Sequence, residues 1–360
     1  MNVIVLLVVF AAITAVYGWL MKHVALKGLH LSRSFSRRAV FEGEEAELVE
    51  VVVNDRPFII PWLRVESRIS PHLRFGSREN LDVSGEMYHQ SLFTVMPYQR
   101  ITRRHKVHFL HRGAYDIGNA ALTAGDVTGG GQCTREQHMN VPVLVYPRLL
   151  EDHELPVPLT RLTGEWALRQ QLLHDPFLIN GIRTYQPGDP VRDIHWPATA
   201  RMGETQVRLH DPSAQARLMV LINGQLSDDQ WDNLMDYEQP RIERVISMAA
   251  TLCVHALRAG LTAGFAANMP LDTHSHECTV LMPSGGSARE EELLAAFARL
   301  KILRLVSFNP FLASLADLTD MDIVVLTCYE SEALHEQINR LSRQGNRVTL
   351  HVLDGGGGAA

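Results

Sequence analysis

Arg217-Leu218-Met219-Val220-Leu221-Ile222 is an almost unbroken apolar run of strand length, the pattern of a strand buried on both faces of a sheet. C-terminal to it, Arg241 to Ala259 carries apolar residues at helical spacing (Ile242, Val245, Ile246, Ala249, Leu252, Cys253, Leu257) and stops near Gly260. Leu261–Ala266, Thr279–Met282, Asp322–Thr327 and Arg347–Leu353 read as further strands, with helical stretches at Ala288–Leu300 and Ser331–Gln344 among them. Strands alternating with helices predict a parallel sheet with crossover helices, an α/β layer fold.

N-terminal to that run the pattern differs. Residues 31–147 hold short runs that partly alternate in polarity, such as Ala46-Glu47-Leu48-Val49-Glu50-Val51-Val52-Val53. Turn signals separate them at Asn54-Asp55, Pro61, Ser70-Pro71, Ser84-Gly85 and Arg112-Gly113, so an antiparallel β-sandwich or barrel is expected. Met1 to Met21 contains no Asp, Glu, Lys or Arg, and about 20 apolar residues span a hydrocarbon core. A cleaved signal peptide is the competing reading. No basic residue precedes the run, and Gly18-Trp19-Leu20-Met21 makes a poor cleavage site. Lys22, Lys27, Arg33, Arg37 and Arg38 follow the run, so the expectation is a single-pass inner or plasma membrane anchor with the soluble domains facing the cytoplasm.

The expected order is therefore an N-terminal transmembrane helix and flank (1–28), an antiparallel β-sandwich (29–150), a polar segment (151–213), a C-terminal α/β domain (214–354) and a disordered tail (355–360). The formal charge of −6, from 34 basic and 40 acidic residues, shows no domain-wide basic excess, so no nucleic-acid partner is expected. Cys133, Cys253, Cys278 and Cys328 lie too far apart for a disulfide scaffold or a zinc knuckle.

The polar segment carries the most distinctive residues, Gly181-Ile182-Arg183-Thr184-Tyr185-Gln186-Pro187-Gly188-Asp189-Pro190-Val191-Arg192-Asp193-Ile194-His195-Trp196, continuing to Ala200-Arg201. Pro187-Gly188 sets a tight turn, and Asp189 is placed to accept from backbone amides or an arginine. Arg183, Arg192 and Arg201 offer planar donors that match carboxylates, and Trp196 offers a large apolar anchor. Such a group is either a rigid ion-pair corner or a surface for a partner.

The pattern Arg-x-Tyr-x-Pro-Gly-Asp-x-x-Arg-x-Ile-His-Trp-x-x-x-Ala-Arg resembles the signature of the domain-of-unknown-function 58 proteins. Arg112-Gly113-Ala114-Tyr115, Gly125-Asp126 and Val145-Tyr146-Pro147 resemble the landmarks that precede it, and Glu42-Gly43-Glu44 resembles an early turn of that family. The resemblance implies membrane anchoring, a β-sandwich and a C-terminal von Willebrand factor A-like (Rossmann-like) domain. It also implies association with a MoxR-type AAA+ ATPase acting on a client complex. The expected function is that of a non-catalytic interaction or adaptor protein with no cofactor. The residues expected to contact a partner, or to lock the segment structurally, are Arg183, Tyr185, Gly188, Asp189, Arg192, His195, Trp196 and Arg201.

Two other functions compete with this one. A divalent-ion-dependent adhesion site places D-x-S-x-S after the first strand of the α/β domain, but here the stretch reads Asn223-Gly224-Gln225-Leu226-Ser227. Only Ser227 fits, and Asn223 and Gln225 leave a degenerate site in which no metal is expected. A hydrolase of unknown substrate is the other alternative. No G-x-S-x-G elbow or H-E-x-x-H pair occurs, and His195 with Asp189 lacks a nearby nucleophile. Asp272-Thr273-His274-Ser275-His276-Glu277-Cys278 reads as a polar loop rather than a metal cluster. His105, His108 and His111 read as the solvated side of β-strands. Gly129-Gly130-Gly131 lacks the Lys-Ser/Thr of a phosphate-binding loop.

Overall fold

The structure is a computed structural model that describes residues 3–76, 81–84, 86–126, 131–173, 181–186, 194–209, 216–230, 234–315 and 317–353. Two compact units are present, Met1–Arg148 and Leu149–Ala360.

The first unit opens with helix α1 (Val3–Val24) and a 3-10 turn at Ala25–Gly28. Apolar side chains of α1 from Val3 to Val16 are exposed, while Leu20, Met21 and Val24 lie outside the described side chains. Among the described residues, no helix is long and apolar enough to cross a membrane. Among the described residues twelve strands follow: β1 (Leu29–Phe35), β2 (Ala39–Phe41), β3 (Glu45–Asn54), β4 (Ile60–Arg68), β5 (Leu73–Phe75), β6 (Leu81–Ser84), β7 (Glu86–Val95), β8 (Arg100–Phe109), β9 (Gly113–Asp116), β10 (Ala120–Gly125), β11 (Gln132–Gln137) and β12 (Pro142–Tyr146). They form antiparallel sheets in the orders β1-β3-β8-β5 and β11-β10-β4-β7-β6. A third sheet, β2-β12-β9, contains one parallel pair, β2 with β12.

Side chains alternate along these strands, so one face of each is buried. On β3 the inward set is Ala46, Leu48, Glu50, Val52 and Asn54. A carboxylate thus stands on the apolar phase of the strand. Its register partner on β1 is Arg33, whose Nε and Nη2 donate to Glu50 Oε1 at 2.9 and 2.6 Å. Arg33 also donates to Ser67 Oγ on β4, and His105 Nε2 on β8 lies 3.7 Å from Glu50 Oε2. The His105 ring meets that of His89 on β7 edge to face, at a centroid distance of 4.7 Å.

These polar residues occupy one level of the core. On one side lies the cluster that includes Leu31, Val52, Val65, Phe93 and Leu122, and on the other the cluster that includes Leu48, Ile69, Phe75, Val107 and Phe109. The sequence expectation for His105 is corrected here. His108 and His111 are substantially exposed, but the His105 side chain is 9% exposed and points into the core. The alternation of β8 puts 101, 103, 105, 107 and 109 on the inner face, and a run of basic residues had masked that phase.

The second unit begins with α2 (Val157–Leu173), β13 (Gly181–Thr184), α3 (Trp196–Met202) and β14 (Gln206–Leu209). The rest is β15 (Arg217–Ile222), α4 (Gln239–Arg258), β16 (Thr262–Ala267), β17 (Thr279–Ser284), α5 (Arg289–Arg299), α6 (Phe308–Ser314), β18 (Asp322–Thr327), α7 (Glu332–Arg343) and β19 (Arg347–Val352). The five-stranded sheet has the order β17-β16-β15-β18-β19, with β15 central and Leu218 to Ile222 fully buried. All pairings are parallel except that of β16 with β17. The expectation of a wholly parallel sheet is corrected at that edge. No helix lies between β16 and β17, and a parallel return needs a crossover. Gly264 on β16 is obligatory at this pairing, since a Cβ there would lie 2.2 Å from Leu281 O. Asp272 to Cys278 form the loop that leads into β17.

Removing one partner of a buried ion pair leaves the other charge uncompensated, at a cost of about 3–5 kcal/mol. Glu50→Ala is therefore expected to lower the melting temperature of the first unit by roughly 10 °C, as read by circular dichroism.

Acid is expected to act on the same layer. Burial pushes the His89 imidazole down to about 4, with His105 and Arg33 adding to the effect and Glu50 opposing it. Burial pushes the Glu50 carboxyl up, but His105 and Arg33 more than reverse this and hold it at about 2. Both folded-state values are depressed, so both groups lose stability as pH falls: His89 between about 6.5 and 4, Glu50 between about 4.5 and 2. His89→Phe is expected to flatten the melting temperature between pH 6.5 and 4 while leaving the lower transition in place. An unchanged slope would remove His89 from the account.

Candidate functional site

The signature segment folds around β14. On one edge β13 pairs with it antiparallel, Arg183 opposite Val207 and Thr184 opposite Gln206, and Tyr185 N donates to Thr205 O at 2.8 Å. On its other edge the returning chain adds a bridge from Ile194 to Val207, and His195 N donates to Gln206 O at 2.8 Å. Ile194, Ala198, Gln206 and Val207 are buried, forming a small core beneath α3.

His195 is the N-cap of α3. Its Nδ1 accepts from Ala198 N at 3.0 Å, so that nitrogen carries no proton and Nε2 is the donor of the ring. Pro197 sits in the first turn, where its missing N–H is not needed. Thr199 Oγ1 donates to His195 O at 3.1 Å and accepts from Gln206 N at 2.9 Å, tying helix to strand. Gly203 ends the helix in the left-handed region with φ 74°, and its N–H reaches Thr199 O at 3.0 Å. Sequence reasoning missed Thr199 and Gln206. The available signal was a capping residue two positions before a proline, which marks a helix start.

Of the signature residues, five are placed. Arg183 is half-buried and its Nη1 donates to Thr184 O at 3.1 Å; Tyr185 is half-buried; Arg201 is exposed in the last turn of α3. Trp196 is 64% exposed and does not serve as a buried anchor. Gly188, Asp189 and Arg192 lie outside the described residues. The segment thus divides by role, with His195 capping a helix and Trp196 offering its indole to the outside.

The second location is the carboxyl end of β15. Neighbouring strands continue to opposite sides there, which is where open α/β sheets form a crevice. It is filled by neutral side chains. Asn223 Nδ2 donates to Thr327 Oγ1 at 3.0 Å, and Asn223 Oδ1 accepts from Gln225 N at 3.0 Å. Asn268 Oδ1 accepts from Gly224 N at 2.8 Å, and Gln225 Oε1 accepts from Phe308 N at 2.7 Å. Asn223, Gln225, Asn268 and Thr327 are fully buried. Ser227 enters through its carbonyl oxygen, 3.5 Å from Gln225 Nε2, so the one hydroxyl of the degenerate pattern contributes backbone here. At the rim, Tyr329 O–H and Asn309 Nδ2 both donate to Asp228 Oδ1, at 3.3 and 3.2 Å. Burial, with Asp228 beside it, pushes the Tyr329 phenol up to about 12. Among the described residues, no group of three or more His, Cys, Asp or Glu side chains could hold a metal ion.

Residues 181–299, from β13 to the end of α5, match the family model described as protein of unknown function DUF58. The chain is also similar to the uncharacterized protein YeaD of Bacillus subtilis (strain 168), 21% identical over 257 residues, which cover 69% of this chain and 58% of that protein. The chain therefore spans less than two thirds of the curated relative it matches. Among solved structures it is similar to a CARDB domain from Pyrococcus furiosus (14% identity, 32% of this chain and 93% of that one, TM-score 0.20). It is also similar to a non-cellulosomal cohesin from Archaeoglobus fulgidus (8% identity, 32% and 90%, TM-score 0.21). At these scores neither structural likeness carries an argument.

An N-cap is worth about 1 kcal/mol, and a carboxylate accepts from helix amides as an imidazole nitrogen does. His195→Ala is expected to destabilise the second unit by about that amount, and His195→Asp to restore it, in urea denaturation. Equal loss in both variants would assign His195 a role other than capping.

Proposed function

We propose that this protein is a membrane-tethered, non-catalytic adaptor that presents its signature segment to a MoxR-type AAA+ ATPase during assembly or activation of a client complex. The observation that carries this reading is Trp196, a large aromatic held outward at the first position of a helix whose cap, core and C-terminus are all satisfied. Exposed tryptophan on a rigid element, with arginine nearby in sequence, is the composition of interface hot spots. In this reading the α/β unit is a von Willebrand factor A-like domain whose cation position is taken by the amides of Asn223 and Gln225. It works through surface contact rather than through a metal.

Tethering rests on α1. Its exposed apolar side chains, the absence of charge from Met1 to Met21, Lys22 and His23 in its last turn and Lys27 just beyond it support a bilayer anchor with the two units on the cytoplasmic side.

The test is a mild-detergent pull-down of the tagged full-length chain from its native host, with mass spectrometry of co-purifying proteins. The wild-type chain is expected to enrich an AAA+ ATPase over a control membrane protein. Trp196→Ala is expected to lower that enrichment at least about fivefold, the loss of a single hot spot, with a melting temperature within about 2 °C of wild type. Equal capture by both chains would remove Trp196 from the interface. Absence of the ATPase from the wild-type capture, when it is present in the lysate, would remove the adaptor reading.

A further inference from the structure

The C-terminal part of α1 is fastened to the strand-end loops of the first unit. Tyr17 O–H donates to Ile59 O at 2.9 Å. A Cβ on Gly131 would lie 2.5 Å from Gly18 O, and one on Gly18 would lie 3.1 Å from Asp126 Oδ2, so helix and loop approach closely. Ala25 and Leu26, just beyond the helix, are buried in the core with Leu29 and Leu31. The level of Tyr17 along α1 is therefore also the level of Ile59, and Ile59 adjoins the turn joining β7 to β8, because Ile60 pairs with Val95. Asn54 Nδ2 bridges Phe58 O and Met96 O, both at 3.0 Å, and holds the two loops together.

That turn, Met96-Pro97-Tyr98-Gln99, is closed by Gln99 N donating to Met96 O at 3.3 Å. Tyr98 has φ 55°, the left-handed region that suits glycine at this turn position, yet the residue is a tyrosine with 70% of its surface exposed. Met96 beside it is 48% exposed. Exposed basic side chains flank it in the chain and across the loops: Arg56, whose carbonyl accepts from Tyr98 N, and Arg100 at the start of β8; Lys22 stands in the last turn of α1 and Lys27 in the 3-10 turn that follows. Asp55 is the acidic exception and pairs with His30 at 3.2 Å.

We infer that the β7–β8 turn is a membrane-interface contact: Tyr98 and Met96 enter the headgroup layer beside α1, and Arg56 and Arg100 bind anionic headgroups. This rests on the reading of α1 as an anchor. If Tyr17 and Trp19 lie in the interfacial aromatic belt, the Tyr17–Ile59 hydrogen bond places the turn at the same depth. Tyrosine is the residue suited to that layer, with an apolar ring and a polar tip, and basic side chains add attraction to anionic lipid. In this reading one bilayer surface covers both the exposed apolar side chains of α1 and the turn.

The experiment uses full-length protein reconstituted in vesicles of phosphatidylglycerol and phosphatidylcholine that contain phospholipid brominated near the headgroup. Tryptophan emission is compared between wild type and Tyr98→Trp. The emission added by Tyr98→Trp is expected to fall at least twofold with brominated lipid. Arg56→Glu with Arg100→Glu in the same background is expected to halve that quenching. In vesicles of phosphatidylcholine alone, the charge reversal is expected to have no effect. Anchoring is read separately, as wild-type quenching that Trp19→Phe abolishes. Quenching at Trp19 without quenching of the emission added by Tyr98→Trp would overturn the contact and leave the anchor standing. Quenching at neither position would overturn both. Quenching at the turn that charge reversal does not change would overturn the headgroup-binding role of Arg56 and Arg100.

Discussion

The ion pair between Arg33 and Glu50 is the constraint around which the first unit is arranged. Both side chains are fully buried, and a buried charge is tolerated only with its partner and further hydrogen bonds in place. Ser67, His105 and His89 complete the layer, drawing on strands of both antiparallel sheets. Because β1 and β3 are paired at this residue, a slip of one position would turn Arg33 or Glu50 to the outside and break the layer. This layer specifies which strands face one another in a core that hydrophobicity alone would define loosely.

The α/β unit is organised by a different kind of polar group. At the carboxyl end of β15, Asn223, Gln225, Asn268 and Thr327 make hydrogen bonds with one another and with the loops before and into α6. Amides suit this role because each side chain both donates and accepts, so a buried cluster is satisfied without a counter-ion. The sheet beneath it is insulated from this chemistry by residues 218–222, which are buried on both faces. The cluster therefore fixes the loops at this edge and, through Thr327, ties them to the end of β18.

A recurring pattern of Arg, Tyr, His and Trp invites a single role, yet the placed members differ. His195 has an internal partner at Ala198 N and holds α3 in place, whereas Trp196, adjacent in sequence, faces outward. Capping sets the direction of the helix, and the direction of the helix sets where the tryptophan points. The first is a local hydrogen bond and the second is its consequence for a surface.

Much of the architecture was legible in the sequence because hydrophobic period is a local property. The run 217–222, the helical spacing from Ile242 to Leu257 and the alternation from Ala46 to Val53 each specify an element without reference to the rest of the chain. The short helix α6 was not legible, since a seven-residue span with Asn309-Pro310 inside it reads as a turn, and Phe308, Phe311 and Leu312 make it a helix by burial. Nor did the sequence distinguish His105 from His108, or Glu50 from an exposed glutamate. Their environment comes from strands 17 to 55 residues away, and the free energy of a buried charge depends on where its partner is held. Sequence by itself determined the strongly periodic strands and helices, such as β3, β15 and α4, and that residues 181–201 form a distinctive polar unit. Tertiary structure alone decided which polar side chains go inside, because only the folded sheets bring a counter-charge within hydrogen-bonding distance.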